Sequence, residues 1–345
     1  KHSMRRKISR RDFMKGTAVV VASGILAGCS NGEMPAPSSS TSSETTSGTS
    51  SSEETSSSGT EEPSSSSEAE KKTSPWTYLI YETSKKTAIL TGYNSSNPDA
   101  PNGVFTLPGE VDGYKIVKIG NSAFKGDLNI TALEISDSVQ EIGSSAFEGC
   151  ENITTLKLSN SLKSIGSSAF QGCKKLAGTL VIPASVKTAS DYAFYACRSL
   201  KKIVMLENES ESGVSDIGYA AFSNCEKVEN VKLASGLTHI GVHGFKNCPI
   251  LNNLVIPENR DGKEITLEHC SFDYCTGLVR VYIPRSVKKF DCPFAYPCCD
   301  KEVYYQGTEE EWNSVGIKSK MDIIGDSSKN VVVHYNAKPS DVSVE

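Results

Sequence analysis

Eleven cysteines and five histidines are the side chains in this 345-residue sequence that could ligate a metal, form bridges or act as nucleophiles. Most of the cysteines are not scattered. Cys150, Cys173, Cys197, Cys225, Cys248, Cys275 and Cys298 recur at one position of a repeating segment. A small thiol there serves as a buried apolar residue. Rungs about 5 Å apart meet the Cα separation of a disulfide, but a bridge between aligned side chains also needs the right dihedral angle. A ladder of unbridged thiols is therefore expected. Cys270, Cys292 and Cys299 lie off that register. They leave two readings open: a Cys270–Cys292 bridge between neighbouring rungs, or a zinc site built from His269, Cys270 and Cys292. The second lacks any CxxC pair, so no metal and no other cofactor is assigned. His239 and His243 stand four apart in THIGVHGF, where Gly241 and Gly244 argue against a helix; they read as surface turn residues. The chain holds no GxSxG, HExxH, phosphate-binding loop or dinucleotide motif, and its carboxylates are dispersed. The expectation is a protein that is not an enzyme.

What positions these side chains is a repeat. Phe124, Phe147, Phe170, Phe194, Phe222, Phe245 and Phe272 lie 23, 23, 24, 28, 23 and 27 residues apart. A fixed period of this size marks a solenoid. Each unit reads Ile-Gly-x-x-Ala-Phe-x-x-Cys-x-x-Leu, plainest at Ile142–Ile165. The glycine is expected at a tight corner or a positive φ, and Ala-Phe supplies one small and one large inward side chain. A short alternating run follows in each unit: TALEIS (131–136), TTLKLS (154–159), GTLVIP (178–183), KKIVML (201–206), ENVKLA (229–234), NNLVIP (252–257) and VRVYIP (279–284). Alternation of period two predicts half-buried strands. Pro183, Pro257 and Pro284 fall at strand ends, where a missing N–H does least harm. One unit cannot bury its own apolar side; stacked units can, and about eight rungs would form a sheet roughly 35–40 Å long. The longer spacings hold additional loop at Glu207–Val214 and Glu258–Lys263, expected on one face.

These repeated residues, from about Tyr78 to Asn336, resemble the BspA-like leucine-rich repeat of bacterial surface proteins. The resemblance implies an α/β repeat solenoid. It would be a leucine-rich-repeat superhelix with short parallel strands on a concave face, turns or short helical pieces on the convex side, and a cap at both ends.

The flanking sequence sets the context. Residues 1–29 read as a signal peptide with a basic start and an apolar stretch, Gly16–Gly28, that is too short to span a bilayer. Arg10 and Arg11 in SRRDFMK resemble the twin-arginine export motif, and LAGC ending at Cys29 resembles a bacterial lipobox. That second resemblance implies a lipid on the Cys29 thiol and membrane attachment through it. Residues 30–75 form a Ser/Thr/Glu-rich tether too poor in apolar side chains to fold. Residues 76–118 read as an N-terminal cap, 119–305 as the repeats, and 306–345 as a C-terminal cap and tail. Thr308-Glu309-Glu310-Glu311 fits a capping box opening a short helix, and Val331–His334 reads as a last strand. Trp76 and Trp312, the only tryptophans, fall in the two caps, where they would cover exposed rung ends. Residues 75–345 carry 27 basic and 32 acidic side chains with no basic face, so nucleic acid is not expected as a partner.

The middle residue of each strand should face outward. Those positions are Glu134, Lys157, Val181, Val204, Lys232, Val255, Tyr282 and Tyr304, with Arg280 as a neighbour. An apolar and aromatic stripe on an exposed sheet suggests an interaction surface. Lys157, Val181, Val204, Lys232, Val255, Arg280, Tyr282 and Tyr304 are accordingly the candidate partner-binding residues. The resemblance implies an exported, lipid-anchored surface protein adhering to a protein or glycan on a host or neighbouring cell. Capture of a solute or oligosaccharide, or a structural role in the envelope, are the alternatives.

Overall fold

Every alternating run forms a parallel strand. The computed structural model describes residues 74–295, 299–315, 321–324 and 328–342. Strands occupy Ile130–Glu134, Thr155–Lys157, Gly178–Ile182, Leu200–Met205, Asn230–Lys232, Asn253–Val255, Arg280–Ile283 and Lys301–Tyr305. Gly103–Thr106 precedes them in the same register, and Val331–His334 follows. Their inward residues, among them Leu133, Leu180, Ile203, Leu254, Val281 and Val303, are buried.

The expected single long sheet is divided. The strands make three separate sheets, broken between Thr155–Lys157 and Gly178–Ile182 and again between Asn230–Lys232 and Asn253–Val255. The strands on both sides of the second break span only three residues, as does the one before the first. The continuous sheet runs elsewhere, through the Ile-Gly corner. Two-residue strands at Glu141–Ile142, Ser164–Ile165, Thr188–Ala189, Asp216–Ile217 and His239–Ile240 pair in order from Tyr114–Ile119 to Ile265–Leu267 and Val287–Phe290. A two-residue strand carries no visible alternation, so the sequence pattern did not expose this ladder.

The corner glycines also differ from expectation. Positive φ falls two residues later, at Ser122, Ser145 and Ser168 (54°, 55° and 57°) and at their counterparts Tyr192, Ala220, His243 and Cys270. Glycine is needed for close approach instead. A Cβ on Gly166 would lie 2.5 Å from the Ser144 backbone nitrogen, and one on Gly143 would lie 2.7 Å from that of Asn121.

Inside, the phenylalanines stack face to face. Ring centroids are 5.1 Å apart for Phe124–Phe147 and 5.5 Å for Phe194–Phe222, with nearly parallel planes. Phe294 extends the stack at 5.4 Å from Phe272. Strand spacing of about 4.8 Å brings identical side chains on successive rungs to the distance at which aromatic rings attract. Trp76 closes one end against Phe105 and Phe124 at 6.3 and 6.4 Å. Trp312 packs at the other on Tyr305 and Phe290, at 5.0 and 6.2 Å. Trp312 sits on the expected helix, Glu309–Ser314, whose capping box forms between Thr308 and Glu311. The two inserted loops meet: the Arg260 guanidinium donates to the Asn208 and Glu209 carbonyls at 2.7 and 2.8 Å.

Candidate functional site

The outward strand residues fall in one column, as their spacing demands. Glu134 pairs in register with Lys157, Val181 with Val204 and Val204 with Lys232; beyond the second break Val255 pairs with Tyr282, and Tyr282 with Tyr304. Their surroundings differ along the column. Val181 is 42% exposed, and Lys232 is exposed beside half-buried Val204. Lys157 is neutralised by Glu134, and Arg280 by Glu302 at 3.1 Å.

Tyr282 departs from its expected outward exposure: it is 2% exposed. The chain's own C-terminal segment covers it, with Ala337 and Val342 buried against the ring and Val255 and Tyr304 packed at the edge. Backbone bonds from Ala337 to Tyr305 and from Asn336 to Gly307 hold that segment down, and Pro339–Asp341 forms a short 3-10 turn. Tyr304 is stacked on His334 at 4.5 Å. The aromatic part of the stripe is therefore largely spent on intramolecular packing, and the Val181–Val204–Lys232 part is open.

The cysteine column is a ladder of buried thiols. Cys150, Cys173, Cys197, Cys225, Cys248 and Cys275 are unbridged. Each thiol donates to the carbonyl of the phenylalanine on the preceding rung, from Cys150 to Phe124 at 3.0 Å through Cys275 to Phe245 at 3.1 Å. Burial pushes Cys150 and Cys225 up to about 12. Such thiols are poor nucleophiles and poor ligands at neutral pH. Cys270 and Cys292 are also present as thiols.

The corner following the continuous ladder gathers a different group. His243 and Cys270 occupy the same repeat position on successive rungs, both with left-handed backbone, φ 60° and 56°. Asp273 follows three residues after Cys270 and has no solvent exposure. A ring nitrogen of His243, the Cys270 sulfur and a carboxylate oxygen of Asp273 all lie within 4.8 Å of one another. Neither carboxylate oxygen of Asp273 has a donor in good hydrogen-bond geometry; its ionic neighbour is Lys246, with Nζ 3.5 Å from Oδ2. Burial raises Asp273 to about 6, against the pull of Lys246 and the Tyr274 backbone N–H. Burial lowers His243 to about 4, helped by Lys246 and His269. His243 is thus not a plain surface turn residue. Its Nδ1 lies 3.3 Å from the Tyr219 hydroxyl. His239 is a different case: it lies between Asp216 and Glu268, at 2.7 and 3.6 Å. The sequence-derived zinc trio is corrected in part: Cys270 belongs to the cluster, whereas His269 faces Asp291 at 3.8 Å.

The model of the BspA type leucine rich repeat region matches residues 117–215 and 206–312, in six copies, more than half of the chain. The chain belongs to that family. Residues 7–27 match the twin-arginine translocation pathway signal sequence, which directs export across the membrane. No curated protein matches the chain. Among solved structures, it is similar to a leucine rich repeat protein of T. pallidum, 23% identical over 67% of this chain and 83% of that one, with a TM-score of 0.41. It is also similar to a leucine-rich repeat protein from Bacteroides ovatus, 20% identical over 76% and 89%, TM-score 0.45. A leucine rich cell surface protein from Faecalibacterium prausnitzii is 18% identical over 71% and 97%, TM-score 0.36.

Within this BspA-type chain, Cys29, Arg10, Arg11 and Cys298 lie outside the described residues. Sequence reasoning missed His243 and Asp273 as partners of Cys270. A signal was present: the earlier BspA-type units carry neither histidine nor cysteine at the position of His243 and Cys270. Ser122, Ser145, Ser168, Tyr192 and Ala220 stand where His243 and Cys270 do, and Lys125, Glu148, Gln171, Tyr195, Ser223 and Lys246 stand where Asp273 does.

Proposed function

We propose that this exported BspA-type chain is a non-catalytic binding protein that engages a protein or glycan on a neighbouring or host cell. The contact surface is the open part of the strand column around Val181, Val204 and Lys232. The observation that carries this reading is an apolar stripe, 42% exposed at Val181, lying in register beside a solvated lysine on a rigid parallel sheet. Exposed apolar side chains held on a fixed scaffold bind at low entropic cost. Attachment to the membrane through a lipid on Cys29 completes the reading, with residues 30–75 linking the lipid to the repeats. The test compares wild type with a Val181→Glu/Val204→Glu variant on bacterial surfaces, host-cell surfaces and glycan arrays. Saturable binding lost in the variant is expected; equal binding by both would remove the strand column from the function. Cys29→Ser should release the chain into the medium.

A second reading, capture of a solute or oligosaccharide, draws on a cleft of ≈ 370 Å³ lined by Thr106, Pro108, Glu134, Ser136 and Lys157. Its opposed Glu134 and Lys157 charges satisfy each other. A Glu134→Gln change that creates affinity for an anionic sugar would favour it.

A further inference from the structure

We propose that His243, Cys270 and Asp273 form a binding site for a divalent transition-metal ion of the zinc class. Three observations converge. The donor set is nitrogen, sulfur and oxygen, with all ligand atoms within 4.8 Å of one another. A zinc-class ion with bonds of about 2.0–2.3 Å requires ligands roughly 3.3–3.8 Å apart, which small side-chain rotations supply. Asp273 is fully buried, and neither carboxylate oxygen has a donor in good hydrogen-bond geometry. A buried carboxylate in that state is costly unless a charge or donor satisfies it. Lys246 meets one oxygen at 3.5 Å, and its cation also lies over the Tyr274 ring at 5.4 Å. A bound cation would take over the role Lys246 fills at that distance.

The repeat itself supplies the third observation. Serine, alanine or tyrosine fills the His243 and Cys270 position on the other described corners up to Phe222, with the same left-handed backbone. The fold therefore needs neither imidazole nor thiol there. Serine fills the Asp273 position at Ser223. His243, Cys270 and Asp273, each with a metal-ligating side chain, meet at one point between adjacent rungs.

The charges close. Binding converts the Cys270 thiol to a thiolate bonded to the metal and releases one proton to solvent. Thiolate and carboxylate then neutralise the divalent ion, with the imidazole neutral. A fourth position is left for water, since three protein ligands do not fill a tetrahedral zinc. With Nε2 taken as the ligand nitrogen, the Tyr219 hydroxyl 3.3 Å from Nδ1 would orient the ring, as outer partners of metal-bound histidines do. The ion would staple the rung of Phe245 to the rung of Phe272, across the longer unit that contains Glu258–Lys263.

The experiment uses the whole purified chain, stripped of metal under reducing conditions. Co²⁺ is titrated with the thiolate-to-cobalt charge-transfer absorption as readout, and Zn²⁺ is titrated by calorimetry. Expected are one equivalent of each ion, a charge-transfer band, proton release, and a melting temperature that rises with Zn²⁺. Cys270→Ser should abolish the band, and His243→Ser and Asp273→Ser should each weaken Zn²⁺ binding by at least ~10-fold. All three introduce the residue the repeat carries elsewhere, and circular dichroism checks that they fold. Cys292→Ser should leave binding unchanged. Absence of saturable binding overturns the site. So does a band that survives Cys270→Ser, or one lost instead in Cys292→Ser.

Discussion

The rungs of Phe147 and Phe170 and those of Phe245 and Phe272 share one backbone and differ in what stands on it. In the first pair the corner carries Ser145 and Ser168, followed by Glu148 and Gln171. In the second it carries His243 and Cys270, followed by Lys246 and Asp273. Backbone torsions at the corner are nearly the same, φ 55° and 57° against 60° and 56°. The ring stacking is the same too, 5.2 Å against 5.4 Å. From Phe147 to Phe272 the phenylalanine and cysteine positions repeat unchanged, whereas the corner position varies among Ser, Tyr, Ala, His and Cys. A solenoid thus separates the positions that stabilise it from those free to vary, and departures from its own repeat mark the second.

Breaking the shared part should have the largest effects. Cys173, Cys197 and Cys248 are pushed well above their ordinary range, and Cys150 and Cys225 to about 12. A folded-state value raised above the unfolded one means that stability is fully present below about pH 9 and is lost as pH rises toward 12. Thermal melts from pH 7 to 11 should show a steep alkaline fall. At pH 8 the ladder thiols should resist alkylation until denaturant is added. Phe170→Ala removes one member of the ring stack and should cost about 3–5 kcal/mol in denaturant titrations; a loss below about 1 kcal/mol would mean the rungs repack around the gap. Gly166→Ala drives a methyl group into the Ser144 backbone and should cost about 1–3 kcal/mol by separating neighbouring rungs.

The displayed part should respond more weakly and more locally. Val342→Asp should lift the C-terminal segment from Tyr282, costing about 1–2 kcal/mol and opening residues 336–342 to proteolysis. Unchanged protease resistance would show that the backbone bonds to Gly307 and Tyr305 suffice. Val204→Glu, on the open column, should change stability by no more than about 0.5 kcal/mol. The inter-rung ion pairs, such as Lys118–Glu141 and Lys174–Glu151, are exposed and should each contribute about 0–1 kcal/mol.

The strands, the phenylalanine stack, the thiol column, the capping box and the end-covering tryptophans were legible because each is a periodic or local property. A period of 23 residues, repeated, puts like side chains at like places. The outward column was legible for the same reason, since alternation decides which side of a strand a residue takes. Its cover was not. Tyr282 meets Ala337 and Val342 across more than fifty residues of chain, and no periodicity in 336–342 announces where that segment docks.

The sequence by itself determined the rung, its inward residues and the order of the rungs, because each follows from spacing along the chain. Only the tertiary structure decided three other things. It placed the continuous sheet at the Ile-Gly corners, because a two-residue strand exists only through its neighbours on other rungs. It gave the corner glycines to close packing, because the atoms a Cβ would strike belong to the preceding rung. It brought His243 to Cys270 and Asp273, because stacking turns residues 27 and 30 positions apart into neighbours.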